Sequence, residues 1–172
     1  AGAAFARRAD EGFVYGLATN DFHRLPAASW EMRERRIWNL STNDIDRVII
    51  RQAGKVRQMK RDGPHRWSLI TQGIINDLAV EETVRGLCQV TASSWVARGE
   101  LNRSRYGFSD KGLQITLELK NGDKRNVEFG GEAPSGFPYA AVTLEGTLWI
   151  FEFPLAVYQD VANHLTIPAD VP

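Results

Sequence analysis

The sequence predicts an α+β fold: antiparallel β-hairpins forming a meander sheet, two or three packed helices, and a tandem-repeat relationship between its parts. Three observations carry this expectation. Short runs alternating apolar and polar residues recur along the chain, separated by the turn pairs Ala53-Gly54, Asp62-Gly63, Asn121-Gly122 and Glu145-Gly146. Residues 78–91 and the stretch after Pro154 place apolar residues at helical spacing instead. Residues 4–25 and 138–161 share one order of apolar, glycine and aromatic positions.

Composition narrows the class. The 172 residues are 43% apolar and 24% charged, close to a globular average. A chain of this length buries about 70% of its unfolded surface, so it needs no staple to fold. Cys88 is the one cysteine, which excludes an intrachain disulfide and a cysteine metal cluster. No apolar run approaches the roughly 20 residues of a spanning helix. With 21 basic and 21 acidic residues, the balance argues against a dedicated nucleic-acid binder. The charge is uneven, however. Residues 1–60 carry 11 basic and 7 acidic groups, residues 61–120 carry 8 and 7, and residues 121–172 carry 2 and 7. A basic front and an acidic tail could complement each other between neighbouring copies, set against chance drift over a solvated surface. The chain opens Ala-Gly-Ala-Ala, with methionine only at Met32 and Met59, and is expected to be a processed form or a segment of a longer protein.

In chain order, residues 4–25 come first. Phe5, Gly12 and Tyr15 match Tyr139, Gly146 and Trp149 at one offset, and after two extra residues Phe22 and Leu25 match Tyr158 and Val161. Residues 1–36 are therefore expected to be the strand-turn-strand-helix end of a preceding repeat, and residues 37–168 one complete repeat. Residues 45–52 are rich in β-branched side chains and read as a strand, turning at Ala53-Gly54 into residues 55–60. Asp62-Gly63 signals a second hairpin turn, with residues 65–70 as the third strand.

The period then changes. Val80, Val84, Leu87, Cys88 and Thr91 define a helix face, with Asp77 as the expected N-cap and Glu81 and Glu82 suited to the positive end of the dipole. Gly86 inside that helix costs about 1 kcal/mol against alanine, which implies a close packing neighbour. Cys88 falls on the apolar stripe, as a small buried hydrophobe. Leu113, Ile115, Leu117 and Leu119 alternate, and Asn121-Gly122 calls for a type I′ turn into residues 124–129. The run Leu148-Trp149-Ile150-Phe151 is apolar in both phases, so cover is expected on both faces, a helix on one and another hairpin on the other. Pro154 opens a closing helix with Leu155, Tyr158, Val161 and Leu165 on its face.

Several motifs then combine: Trp67-Ser68-Leu69 closing a meander, the helix at 78–91, Tyr106-Gly107-Phe108, the glycine-rich Gly130-Gly131-Glu132-Ala133-Pro134-Ser135-Gly136, and Tyr139-Ala140 leading into the Trp149 hairpin. Together with residues 30–51 as a junction between copies, they resemble the domain-of-unknown-function family 4340 over nearly the whole chain. Phe108 stands where that family usually has leucine, and Thr71-Gln72 lacks a proline often found there. The resemblance implies a context: domains that follow one membrane helix, face the outside of the cytoplasmic membrane, and are encoded beside gliding-motility-type ABC transporter components. It implies no catalytic motif.

Chemistry is weighed residue by residue. His23, His65 and His164 are far apart and lack ligand spacing, so no metal site is expected. Asp10/Glu11, Asp44/Asp46 and Glu81/Glu82 lie beside turns or helix starts and read as caps. Ser135 lacks a nucleophile elbow, and Gly130-Gly131 lacks the lysine and helix of a phosphate loop, so both read as turns. Tyr106, Gly107 and Phe108 are expected to form a corner whose aromatics anchor a loop, each worth about 3–5 kcal/mol if truncated. Trp67, Tyr139 and Trp149 belong to the same structural set. Arg47, Arg51, Lys55 and Arg57, followed by Lys60 and Arg61, form a basic hairpin read as a solvated face or a partner-contact surface.

The leading expectation is a non-catalytic extracytoplasmic interaction module of a membrane-anchored ABC-transporter accessory, with no cofactor. Its partner would be a transporter component or a neighbouring repeat, with no nucleic acid, and with the membrane reached only through a segment absent from this chain. A glycan- or peptide-binding domain using exposed tryptophans such as Trp30 or Trp38 is the alternative, and an uncharacterised hydrolase ranks last.

Overall fold

The structure, a computed structural model, describes residues 4–22, 25–26, 28–70 and 74–167. The chain divides into two compact units, Ala1–Arg33 and Glu34–Pro172. The break falls after Arg33, close to the expected repeat boundary after Arg36.

The first unit holds strands β1 (Ala4–Ala6) and β2 (Tyr15–Leu17) and helix α1 (Thr19–Phe22). The second is built on eight strands: β3 (Ile45–Gln52), β4 (Lys55–Gly63), β5 (Arg66–Leu69), β6 (Ser94–Arg98), β7 (Gln114–Leu119), β8 (Lys124–Glu132), β9 (Pro138–Leu144) and β10 (Thr147–Glu152). They form one antiparallel sheet in the order β5-β4-β3-β7-β8-β9-β10-β6. The α+β expectation is met.

Helix α2 (Asp77–Cys88) links β5 at one edge to β6 at the other, and α3 (Leu155–His164) follows β10. Both helices lie on one face. Trp67 of β5 meets α2, Tyr158 of α3 stacks 5.2 Å from Phe129 of β8, and Gly86 of α2 meets Val157 of α3. A Cβ at Gly86 would stand 3.1 Å from Val157, which explains the glycine. Beneath the helices, register sets Met59, Val48, Leu117, Ile50, Ile115, Val127, Phe129, Ala140, Phe151, Val142 and Trp149 on one continuous buried face. Thr91 lies outside the helix, because residues 90–92 pair with the extended segment at 35–37.

The opposite face has two fates. Residues 99–113 return from the β6 edge to β7 in mid-sheet. Phe108 of that loop packs with Ala97, Ala141, Leu148 and Ile150. Loop and helices therefore cover β10 from both sides, where a hairpin was expected opposite the helix. In the other half of the sheet the described residues on this face are exposed or half-buried, Thr116 excepted.

Local chemistry corrects several expectations. Both central residues take positive φ, as a type I′ turn requires, at Ala53-Gly54 and Glu145-Gly146. At Asn121-Gly122 only Gly122 does, and Leu119 exchanges backbone bonds with Gly122 and Asp123, a three-residue loop with a glycine bulge. Asp62-Gly63 is not a turn: β4 runs through Gly63, the ladder bulges between Arg61 and Gly63, and Pro64-His65 turns the chain. Proline presets φ at the first turn position there, and His65 accepts φ +56° at the second. Asn76, not Asp77, caps α2 by accepting from the Ala79 amide. On α3, Leu155 is exposed while Val161 and Leu165 are fully buried.

The two repeat-related stretches do share strand, turn, strand and helix in order. Their registers refine the match. Phe5 faces Gly16, whereas Tyr139 faces Glu152. With Phe5 on Tyr139, Tyr15 falls on Phe151 rather than Trp149, at the displacement relating Phe22 to Tyr158. The two extra residues lie before the second strand, not after it.

Candidate functional site

The two-residue turn at Ala53-Gly54 sets Gln52 opposite Lys55, hence Ile50 opposite Arg57 and Ile49 opposite Gln58. Strand alternation then divides the expected basic patch. Arg47, Ile49 and Arg51 stand on the open face with Val56, Gln58 and Lys60. Lys55 and Arg57 stand on the helix face. Arg57 is half-buried there, donating to the Thr166 carbonyl at 3.0 Å, and burial lowers its pKa. The four residues are not one surface.

What the open face does present is a cross-strand array. One row runs Ser68, Lys60, Arg47, Glu118, Lys124, and the next runs Ile70, Gln58, Ile49, Thr116, Asn126. Arg47 reaches Glu118 at 3.7 Å, and its buried Nε donates to no protein group. Ile70 and Val56 are exposed beside these charges, at 54% and 49%. A flat, mainly basic face with apolar residues set among its charges can seat a partner surface.

The helix face holds a polar cluster. Arg61 donates to the Ile45 and Thr42 carbonyls at 2.9 and 3.1 Å and to Glu81 at 2.8 Å, while its guanidinium lies 4.3 Å over the Trp67 ring. Trp67 Nε1 also donates to Glu81, at 2.8 Å, and His65 Nδ1 lies 3.3 Å from the other carboxylate oxygen. Burial alone would raise the Glu81 pKa. Hydrogen bonds from Arg61 and Trp67, with the charges of Arg61 and His65, outweigh it and hold the carboxyl below its ordinary range. Asp77 accepts from the Trp67 amide at 2.9 Å. This clasp joins β4 and β5 to α2, and it blocks one amide on the β5 edge. Glu81 is thus a buried partner rather than a cap. The sequence carried one signal: Asp77, Glu81, Val84 and Cys88 share a helix stripe.

Beside the clasp is an open cleft of about 570 Å³, lined by Asn43, Asp46, Arg61, Asp62, His65 and Lys120. Cys88 is fully buried, and burial pushes its thiol up to about 12, so it stays neutral and a poor nucleophile.

The Tyr106-Gly107-Phe108 corner forms as expected. Gly107 takes φ +75°, Phe108 enters the core, and Tyr106 stacks 4.9 Å from Tyr139. Its seat was not foreseen. Gly130-Gly131 is a bulge within β8, not a turn, and it lies against Tyr106-Gly107 backbone to backbone. Arg103 pins the same loop by donating to Glu128, a bond that raises the Arg103 pKa. Ser135 is an exposed turn residue whose Oγ accepts from the Phe137 amide.

Trp30 and Trp38, expected to be exposed, are half-buried; Trp38 donates to the Leu87 carbonyl and ties residues 37–40 to α2. Trp67 and Trp149 are buried. His23 and Thr71-Gln72 lie outside the described residues. Among the described residues, no three His, Cys, Asp or Glu side chains gather to hold a metal ion, and no helix is long and apolar enough to cross a membrane. No family model, curated protein or solved structure matches the chain.

Proposed function

We propose that the chain is a non-catalytic interaction module, the extracytoplasmic part of a membrane-anchored accessory to an ABC-type transporter, and that the open half of its sheet contacts a protein partner. The supporting observation is the array on the sheet face away from the helices, in which Arg51, Lys60, Lys124, Val56 and Ile70 are exposed and Arg47 and Ile49 half-buried. The wider context rests on the resemblance to the domain-of-unknown-function family 4340. The test is co-purification of the full-length protein with transporter components. Reversal of Arg47, Arg51 and Lys60 to glutamate lowers recovery if the reading holds, and reversal of the clustered face with unchanged recovery sinks it.

One observation favours a second reading, a glycan- or peptide-binding domain. A groove of about 1060 Å³ lies between residues 39–44 and the helices, lined by Asn39, Ser41, Thr42, Asp44, Gln89 and Asp160. Amide, hydroxyl and carboxylate groups of this kind suit a polar ligand. Amide chemical-shift changes at Gln89 and Asn39 on adding soluble oligosaccharides would support it, and unchanged spectra would remove it.

A further inference from the structure

The cleft beside the clasp forms where strands of the main sheet end together. β3 and β4 run antiparallel with Arg47 opposite Lys60, so Asp46 comes to the same end of the sheet as Arg61 and Asp62. β7 ends there too, and the Lys120 amide donates to the Asp44 carbonyl at 2.8 Å. His65 and Asn43 add to the lining.

Two properties of this lining point to a ligand. First, the Arg61 side chain is only 6% exposed, yet its Nη1 donates to no group among the described residues. Its Nε and Nη2 are already committed to Ile45, Thr42 and Glu81. A buried donor left without an acceptor is costly, so an oxygen atom brought to it is favoured. Second, the lining carries both signs, with Arg61 and Lys120 cationic and Asp46 and Asp62 anionic. An anion alone brought here meets two carboxylates, and a cation alone meets a guanidinium and an ammonium. A ligand with both charges close together is attracted by all four groups.

We infer that the cleft binds a small zwitterion of the α-amino-acid type, its carboxylate held by Arg61 and Lys120 and its ammonium by Asp46 and Asp62. The size agrees, since about 570 Å³ admits a free amino acid together with part of its water. The cleft shares no residue with the basic array on the open face, so this site and the proposed contact surface stand or fall separately.

The test is titration of the 172-residue chain with alanine, N-acetylalanine and alaninamide at neutral pH, read at the backbone amides of Asn43, Gly63 and His65. Alanine should bind at least about tenfold more tightly than either blocked analogue, each of which lacks one charge. Lys120→Ala and Asp62→Asn, both at exposed positions, should each weaken alanine binding about fivefold with the fold intact. Arg61→Leu with Glu81→Leu removes the guanidinium together with its buried counter-charge and should abolish binding. No shift at these amides with alanine would overturn the inference. Equal binding of N-acetylalanine would make this a site for anions, equal binding of alaninamide a site for cations, and either result overturns it. So would alanine binding that survives both single substitutions unchanged.

Discussion

The two halves of the main sheet share one ladder and differ in how many faces they bury. In β5-β4-β3-β7, apolar residues alternate with polar ones, and on the side away from the helices the described residues are exposed or half-buried, Thr116 excepted. In β8-β9-β10-β6, Ala140-Ala141-Val142 and Leu148-Trp149-Ile150-Phe151 are buried in both phases. Connectivity makes the difference. The link from β5 to β6 is α2, on one face, so the link from β6 to β7 returns across the other and lays Phe108 over the second half alone. The open face of the first half is what that loop leaves uncovered, and its charged side chains are compatible with staying wet.

The comparison is broken most severely where loop and sheet touch backbone to backbone. A Cβ at Gly130 would stand 2.4 Å from the Tyr106 carbonyl oxygen and 3.2 Å from the Phe108 ring. Gly130→Ala should therefore cost more than about 4 kcal/mol, among the largest single-site losses. Gly63, in the open half, has nothing within 4 Å of its would-be Cβ and an ordinary φ. Gly63→Ala should change stability by less than about 1 kcal/mol. Urea denaturation of the pair measures the contrast, and equal losses would remove the backbone crossing as its cause.

Next comes the clasp, which makes the covered face of the open half polar at one end. Glu81→Gln leaves the Arg61 guanidinium buried without its counter-charge, and a loss of about 3–5 kcal/mol is expected. The double substitution Arg61→Leu with Glu81→Leu should recover most of it. The pH dependence has a definite sign. Because the folded pKa of Glu81 lies below its ordinary value of 4.5, its contribution is fully present above that value and is lost as pH falls through the folded pKa. Urea midpoints from pH 6 down to about pH 3 should fall more steeply in wild type than in the double variant. Parallel curves would mean that Glu81 is not held ionised by its partners.

A smaller effect separates the two aromatics of the corner. Phe108 is buried among four apolar side chains, and Phe108→Ala should cost about 3 kcal/mol. Tyr106 is half-buried against Tyr139, so Tyr106→Ala should cost clearly less than the equal share the motif suggests. Melting temperatures rank the two directly, and a reversed order would make Tyr106 the anchor.

Which of these features were legible beforehand follows from the range of the interactions. The 45–52 strand, its Ala53-Gly54 turn and the Gly86 contact were readable, because β-branched runs, short turns and helix-interior glycines act locally. The loop across the second half was not, since residues 99–113 have no period to betray the face they lie on. Turn type misled at Asn121-Gly122, where the Asn121 side chain bonds the Asp123 amide and one left-handed glycine suffices. The basic hairpin was half legible. A two-residue turn places Arg57 opposite Ile50, so alternation alone already sends Arg57 inward. Arg61 and Glu81 meet across a hairpin and a helix, and no local pattern pairs them.

The smallest expected effect on stability is the one that bears on function. On the open face Arg51 and Lys60 are exposed and Arg47 is half-buried, so reversal to glutamate there disturbs little packing. Arg47 pairs with Glu118 at 3.7 Å, in a partly exposed contact. Such pairs contribute about 0–1 kcal/mol, so the triple reversal should leave the melting temperature nearly unchanged. The same change moves this face by six charge units toward negative, and a partner steered by charge should bind less and regain nothing at low salt. Arg57→Glu is the internal control. It places a carboxylate where a half-buried guanidinium meets the Thr166 carbonyl, so it should cost stability without acting through the open face. Denaturation and co-purification of both variants therefore give opposite patterns. If the triple reversal unfolds the chain, or leaves association intact at low salt, the open half is not the contact surface.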